Sequence, residues 1–299
     1  MLKLLLELIP TLALGLALGL RYPLLPGRIA PLLVRYGIPL GVAALLLRSG
    51  LNRDFLLAAA LALFLIASVM LLLHLLPPLR RLLPNGALQL GAATGNTTYF
   101  GIPVALALLP PPALGAAIAY DLAATLLSWT LGPRLLKSSS ERRRSFRRDL
   151  SQSPATHGFL LAFALQLTPW QEPLASLLWW PARLVLLLAL LLVGMRIGVM
   201  QQQGELAEGF SWQSWRKLAP ALSIKLLLLP LLFALITTWL GLPGLVADAL
   251  VLQAAAPTAI SVLLMAEAAG EGINDAAGLV LISTAMALVT VPLWWWLIN

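Results

Sequence analysis

One short stretch sets polar side chains among helix breakers inside an otherwise apolar run: Gly91-Ala-Ala-Thr-Gly-Asn-Thr-Thr-Tyr-Phe-Gly-Ile-Pro103. Gly95, Gly101 and Pro103 weaken a helix, and Asn96, Thr97 and Thr98 place donors and acceptors beside the break. A second interruption, Gln253-Ala-Ala-Ala-Pro-Thr-Ala-Ile-Ser261, brings Pro257, Thr258 and Ser261. In hydrocarbon a backbone polar group needs an internal partner, so such breaks are tolerated only inside protein or against a water-filled cavity. Interrupted segments at matching places in two halves of a chain point to a binding site near the bilayer midplane. The positive ends of the half-helices there attract anions. Gly95, Asn96, Thr97, Thr98, Gly101, Pro103, Pro257, Thr258 and Ser261 are therefore the candidate substrate residues. The competing reading, strongest for Pro257, is that Pro and Gly are simply common in membrane helices, with Ser and Thr repairing the freed carbonyls.

Asp121 is the charge that most needs a reason. It lies roughly 12 Å into its apolar run, at about 1.5 Å per residue. A carboxylate at that depth costs a few kcal/mol, so it should face a cavity or a partner. It is the candidate ion-coupling residue, as proton carrier or sodium ligand, and an anchor for the adjacent break is the alternative. Lys225 and Arg183 are expected to snorkel toward helix ends. His74 reads as an interfacial histidine, and Gln89, about a turn before the first break, is a candidate for the pathway.

The elements that position these groups follow from composition. Of 299 residues, 60% are hydrophobic and 11% charged, against roughly 25% charged in soluble domains. A bilayer crossing takes about 20 apolar residues. Apolar runs separated by Pro, Gly and charge give ten predicted spans, near 4–20, 30–48, 55–76, 86–109, 113–135, 155–170, 173–200, 214–240, 244–268 and 274–298. The apolar N-terminus carries Glu7 and no clear cleavage site, and reads as the first span rather than a signal peptide. The expected class is an all-α membrane protein of ten transmembrane helices.

Three parts result: a first five-helix repeat at 1–136, a basic loop at 137–154 and a second repeat at 155–299. Much of the net charge of +8 sits at Arg134, Lys137, Arg142, Arg143, Arg144, Arg147 and Arg148. Such a cluster marks a cytoplasmic loop rather than a nucleic-acid surface, so no nucleic-acid partner is expected. With that loop inside, Arg21, Arg28, Arg80, Arg81, Arg196, Arg216 and Lys217 also fall on the cytoplasmic side, and both termini lie outside. The expected location is the cell membrane, crossed many times. Trp294, Trp295 and Trp296 suit an interfacial belt. Two similar units of five spans in one chain lie in opposite orientations, the inverted-repeat plan of many secondary transporters.

TGNTTYFGIPVALALLP followed by AYDLAATLLSWTLG closely resembles the auxin efflux carrier family, which includes bacterial malate-permease-like proteins. Asn96, Thr97, Gly101, Pro103, Val104, Tyr120, Asp121, Trp129 and Gly132 carry the match. AAAPTAISVLLMAEAAG and LVLISTAMALVTVPLWWWLI look like that family's last two spans. Two departures stand out: Thr98 where the family often has Gly, and Pro110-Pro111-Pro112 in place of a Gly-containing turn. The resemblance implies fourth and ninth helices that are broken and cross, one bundle moving against the other, and a carboxylate substrate.

The function read from the sequence is a secondary active transporter of small organic anions working by alternating access. Its expected partners are that anion and the lipid bilayer, and a homodimer is compatible with the chain. No cofactor or metal is expected, and coupling to protons or sodium stays open. Three rivals are weighed. A sodium-coupled bile-acid-type carrier should show more Asn, Gln and Glu at the second break. An intramembrane enzyme should show a metal or nucleophile motif, yet there is no H-E-x-x-H and the histidines are His74 and His157 alone. A passive channel fits inverted, interrupted repeats less well.

Overall fold

In an apolar medium a chain can satisfy its backbone as helix or as a closed barrel, and from this Leu- and Ala-rich sequence helix is what forms. The structure, a computed structural model, describes residues 2–50, 52–136, 154–204 and 212–298. The predicted basic loop therefore lies, apart from Pro154, outside the described residues. The helices are α1 (Leu2–Arg21), α2 (Leu25–Leu32), α3 (Ile38–Ser49), α4 (Arg53–Leu75), α5 (Pro77–Leu82), α6 (Gly86–Ala93), α7 (Ile102–Leu108) and α8 (Leu114–Leu136) in the first half. The second half holds α9 (Pro154–Gln166), α10 (Gln171–Gln202), α11 (Trp212–Ser223), α12 (Leu229–Trp239), α13 (Gly244–Ala254), α14 (Ile260–Ala269) and α15 (Ile273–Ile298). No strand occurs among the described residues. Asn52 and Asn85 cap α4 and α6, each side-chain oxygen accepting a backbone N–H three residues on.

Five of these stretches are long and apolar enough to cross a membrane unaided: Arg53–Leu75, Leu114–Leu136, Gln171–Gln202, Trp215–Trp239 and Ile273–Ile298. A sixth arises if Leu25–Gly37 and Pro39–Arg48, bent by 41°, count as one. Their outer faces leave Phe64, Leu72, Trp180, Leu235, Trp239 and Trp296 exposed, an apolar surface far larger than a water-soluble monomer shows. This is a multi-pass membrane protein.

Proline shapes three of the crossings in the same way. A π-helical turn at Leu33–Gly37, Thr97–Gly101 and Ile224–Leu228 precedes Pro39, Pro103 and Pro230 in turn. A proline lacks the N–H that the carbonyl four residues back would accept, and its ring crowds that carbonyl, so the helix widens locally. For Pro230 the affected carbonyl is that of Leu226, and the indole Nε1 of Trp294 donates to it at 2.9 Å. Trp294→Phe should leave that carbonyl unsatisfied and lower stability by about 1–3 kcal/mol, read as a lower thermal unfolding midpoint in detergent.

The helices gather into two bodies. In one, α1 lies along α10, and α3 packs on both α9 and α10. In the other, α4 and α8 pair, α12 and α13 pair, and α6, α11, α14 and α15 close around them. The α1–α10 contact is a pair of G-x-x-x-G stripes, Gly15/Gly19 against Gly194/Gly198, running parallel. A Cβ at Gly194 would stand 2.3 Å from the carbonyl oxygen of Leu12, and one at Gly15 would stand 2.2 Å from that of Leu191. Small residues at this spacing let two backbones touch, the usual device for helix pairs in lipid. At the end of the second body Lys217 pairs with Asp275 at 2.7 Å, and Asn85 donates to the same carboxylate.

Candidate functional site

Both interrupted segments unwind, and they unwind against each other. Between α6 and the turn at Thr97 the chain is extended at Thr94; between α13 and α14 it is broken from residue 255 to 259. Gly95 and Thr258 form an antiparallel bridge. Asn96 N donates to the Pro257 carbonyl at 2.6 Å, and Ala259 N donates to the Thr94 carbonyl at 3.2 Å. Each break thus supplies backbone partners that the other has lost, which answers the requirement that hydrocarbon imposes. Thr258 is pinned further: its hydroxyl donates to the Gly91 carbonyl at 3.0 Å, and its N–H donates to Ser283 Oγ at 2.9 Å.

Two buried charges brace the crossing from different sides. Asp121, 3% exposed, accepts on a single oxygen, Oδ1, from the hydroxyls of Thr97 at 2.6 Å and Thr98 at 2.7 Å. These residues open the half-helix that runs on to Leu108, so a carboxylate sits at its positive end. Lys225, expected to snorkel, does not: it is fully buried and donates to the carbonyl of Ala254, the last residue of α13, at 2.5 Å. The ammonium therefore sits at the negative end of a half-helix. It lies in the π turn before Pro230, too far from either helix end to reach water, and Gly95 leaves the room it occupies.

Two cavities flank this structure. The larger, partly open, lies between the two bodies and is lined by Gly95, Asn96, Thr97, Thr98 and Tyr99 of the first break and by Ala259, Ile260 and Ser261 at the start of α14. Thr125, Ser128 and Trp129 of α8, Leu192 and Arg196 of α10, Ala30 of α2 and Leu264 of α14 complete its walls. Asn96 Nδ2, Tyr99 Oη and Arg196 Nε are buried with no hydrogen-bond partner in the protein, and no acidic residue lines the space. Unsatisfied donors at the start of two half-helices make a site for an anion, with the Asp121 carboxylate set behind Thr97 and Thr98 and outside the lining. The smaller cavity touches Thr98, Ile118, Asp121, Leu122 and Val185. On α8 and α10 it takes residues nearer the N-terminal ends, so Thr98 and Asp121 stand between the two spaces.

Residues 143–295, just over half of the chain, match the family described as membrane transport protein. The chain belongs to that family, the auxin efflux carriers. No curated protein matches it. The protein is a membrane transporter of a family of transporters, not of enzymes. The match contains the second break and not the first; the Asn96–Pro103 motif enters through its contact with Pro257, Thr258 and Ala259.

In this auxin efflux carrier the predicted substrate residues divide. Gly95, Asn96, Thr97, Thr98 and Ser261 line the larger cavity. Pro257 and Thr258 hold the crossing together from behind, and Gly101 lies under Gln253, whose Oε1 would stand 2.1 Å from a Cβ there. Pro103 shapes the turn without lining the space. Asp121 borders only the smaller cavity. Gln89 is engaged away from both, with its amide donating to Leu83 O at 3.0 Å and its oxygen 3.2 Å from His74 Nδ1. Tyr99, Thr125, Ser128, Trp129 and Arg196 were not among the predicted site residues. A signal existed for three of them: Asp121, Thr125, Ser128 and Trp129 recur at helical spacing and share one face of α8.

Proposed function

We propose that this carrier is a secondary transporter that moves small carboxylate anions by alternating access and binds them in the larger cavity. The observation that carries the reading is the group of three unpartnered donors, Asn96 Nδ2, Tyr99 Oη and Arg196 Nε, around a space with no acidic lining. Helix occupies most of each of the ten predicted spans, and the two mutually paired breaks fall in the fourth and ninth. This supports ten crossings in two inverted repeats of five. With the basic loop cytoplasmic, the larger cavity faces the cytoplasm, because it lies toward the C-terminal ends of α8 and α10. Movement of the crossing against the α1–α10 body would close it and open the smaller one.

Asp121 acts in this scheme as an anchor for Thr97 and Thr98. Lys225 weighs against the bile-acid-type sodium symporter, because carriers with broken helices coordinate sodium at half-helix C-terminal ends, and here the ammonium takes that place.

Purified protein in liposomes should take up labelled malate or indole-3-acetate. Asn96→Ala should slow uptake about tenfold or more, the loss of one charge-assisted hydrogen bond. Pro103→Ala restores an N–H for the Tyr99 carbonyl and lets the turn close to α-helix, which should also impair uptake while the protein stays folded. Wild-type rates in both variants would sink the site.

A further inference from the structure

The two cavities differ most in the wall they share with the α1–α10 body. On the larger cavity that wall carries Ala30 of α2 and Leu192 and Arg196 of α10. On the smaller one it carries Gly37, Gly41, Val42, Leu45, Leu46 and Val185, with no charge and no side-chain hydrogen-bonding group. Val185 and Arg196 are eleven positions apart on one helix, about 16 Å along its axis. Arg196 is also held in place. It lies between Gly194 and Gly198, whose Cα positions are pressed against the α1 backbone at Leu12, Leu16 and Gly19, so it stays with this body. Asn96, Thr97 and Tyr99 belong to the other body. Among the described residues Arg196 meets no carboxylate, and its buried Nε has no partner.

We infer that Arg196 is a side-specific substrate ligand. It holds the anion when the site faces the C-terminal ends of α8 and α10, and it is left behind when the crossing moves to the apolar stretch of wall. The inference rests on the carboxylate-transport reading above and adds an asymmetry to it: anion affinity is high at the Arg196 face and low at the opposite face. A guanidinium is suited to this because it keeps its charge and presents a planar fork of donors to a carboxylate. Substrate captured at one face is then released at the other into a site whose fixed wall offers it nothing, and the binding step itself opposes recapture.

The test is zero-trans flux in proteoliposomes of uniform orientation, with labelled malate and indole-3-acetate as the probes. The wild-type protein should show a lower KM at the Arg196 face. R196Q should raise KM at that face about tenfold or more and should shrink the difference between the faces. R196K keeps the cation without the fork. It should raise KM at the same face by a smaller factor, and it carries the test if R196Q does not fold. Equal KM rises at both faces, in either variant, would overturn the side-specific role, because a residue that merely supports the fold has no preferred face. Failure of the wild-type protein to move either acid would overturn the carboxylate reading, and this inference with it. Transport with indistinguishable KM at the two faces would overturn this inference alone.

Discussion

Asp121→Ala is expected to abolish carboxylate uptake and to destabilise the protein by about 3 kcal/mol or more, whereas Asp121→Asn should retain uptake to within a few-fold. The difference follows from which atoms are engaged. Both Thr97 and Thr98 donate to the same oxygen, Oδ1. An amide oxygen has two lone pairs and can accept both hydroxyls in the same places. Asparagine thus keeps the geometry of the break while removing the charge, at the cost of weaker bonds, since charge-assisted hydrogen bonds are about twice as strong as neutral ones. Alanine removes the acceptor and strands two hydroxyls, Thr97 buried and Thr98 partly so, at about 1.5–3 kcal/mol for each bond to a charged group. Liposome uptake and thermal unfolding in detergent, measured on the same preparations, separate the cases. An Asn variant that melts like the wild type and transports nothing would show that the charge itself is needed, and ion coupling would replace anchoring as the role of Asp121.

Gly194→Leu should have the larger effect on the fold. A side chain there begins 2.3 Å from the Leu12 carbonyl oxygen and 3.0 Å from the Cα of Gly15. The obstacle is backbone, which cannot swing away as a side-chain tip could, so α1 and α10 must separate along their whole contact. Overpacking costs typically about 1–3 kcal/mol where side chains can yield, and here they cannot. Loss of monodisperse protein on size exclusion, or a fall in the unfolding midpoint well beyond that of Trp294→Phe, is expected. Gly27→Leu is the control, because a Cβ at Gly27 meets nothing within 4 Å. Equal behaviour of the two variants would refute the close-contact account.

The sites of breakage were readable because Gly95, Gly101, Pro103 and Pro257 act on their own backbone, through missing donors and missing side chains, whatever surrounds them. The π turn before Pro103 has the same local cause. Lys225 was misread for the opposite reason. Its distance from a helix end suggested snorkelling, but its partner is the carbonyl of Ala254, twenty-nine positions away in the chain. Arg196 is a different case: sign and position place it among the cytoplasmic charges, and they say nothing of the cavity it lines. Only the packing of its flanking glycines on α1 turns it toward the cavity wall.

By itself, then, the sequence determined that this protein lives in the bilayer as helices, where those helices fail, and which polar groups stand beside the failures. All of these depend on local terms, namely the transfer of apolar residues into lipid and the backbone chemistry of glycine and proline. Tertiary structure alone decided that the two breaks pair with each other, that Asp121 and Lys225 brace different half-helix ends, and that Tyr99 and Arg196 join Asn96 around one space. Those are contacts between residues up to 167 positions apart in the chain. A lone unwound segment in lipid has no partner for its backbone, and a second segment supplies one only once the helices have packed.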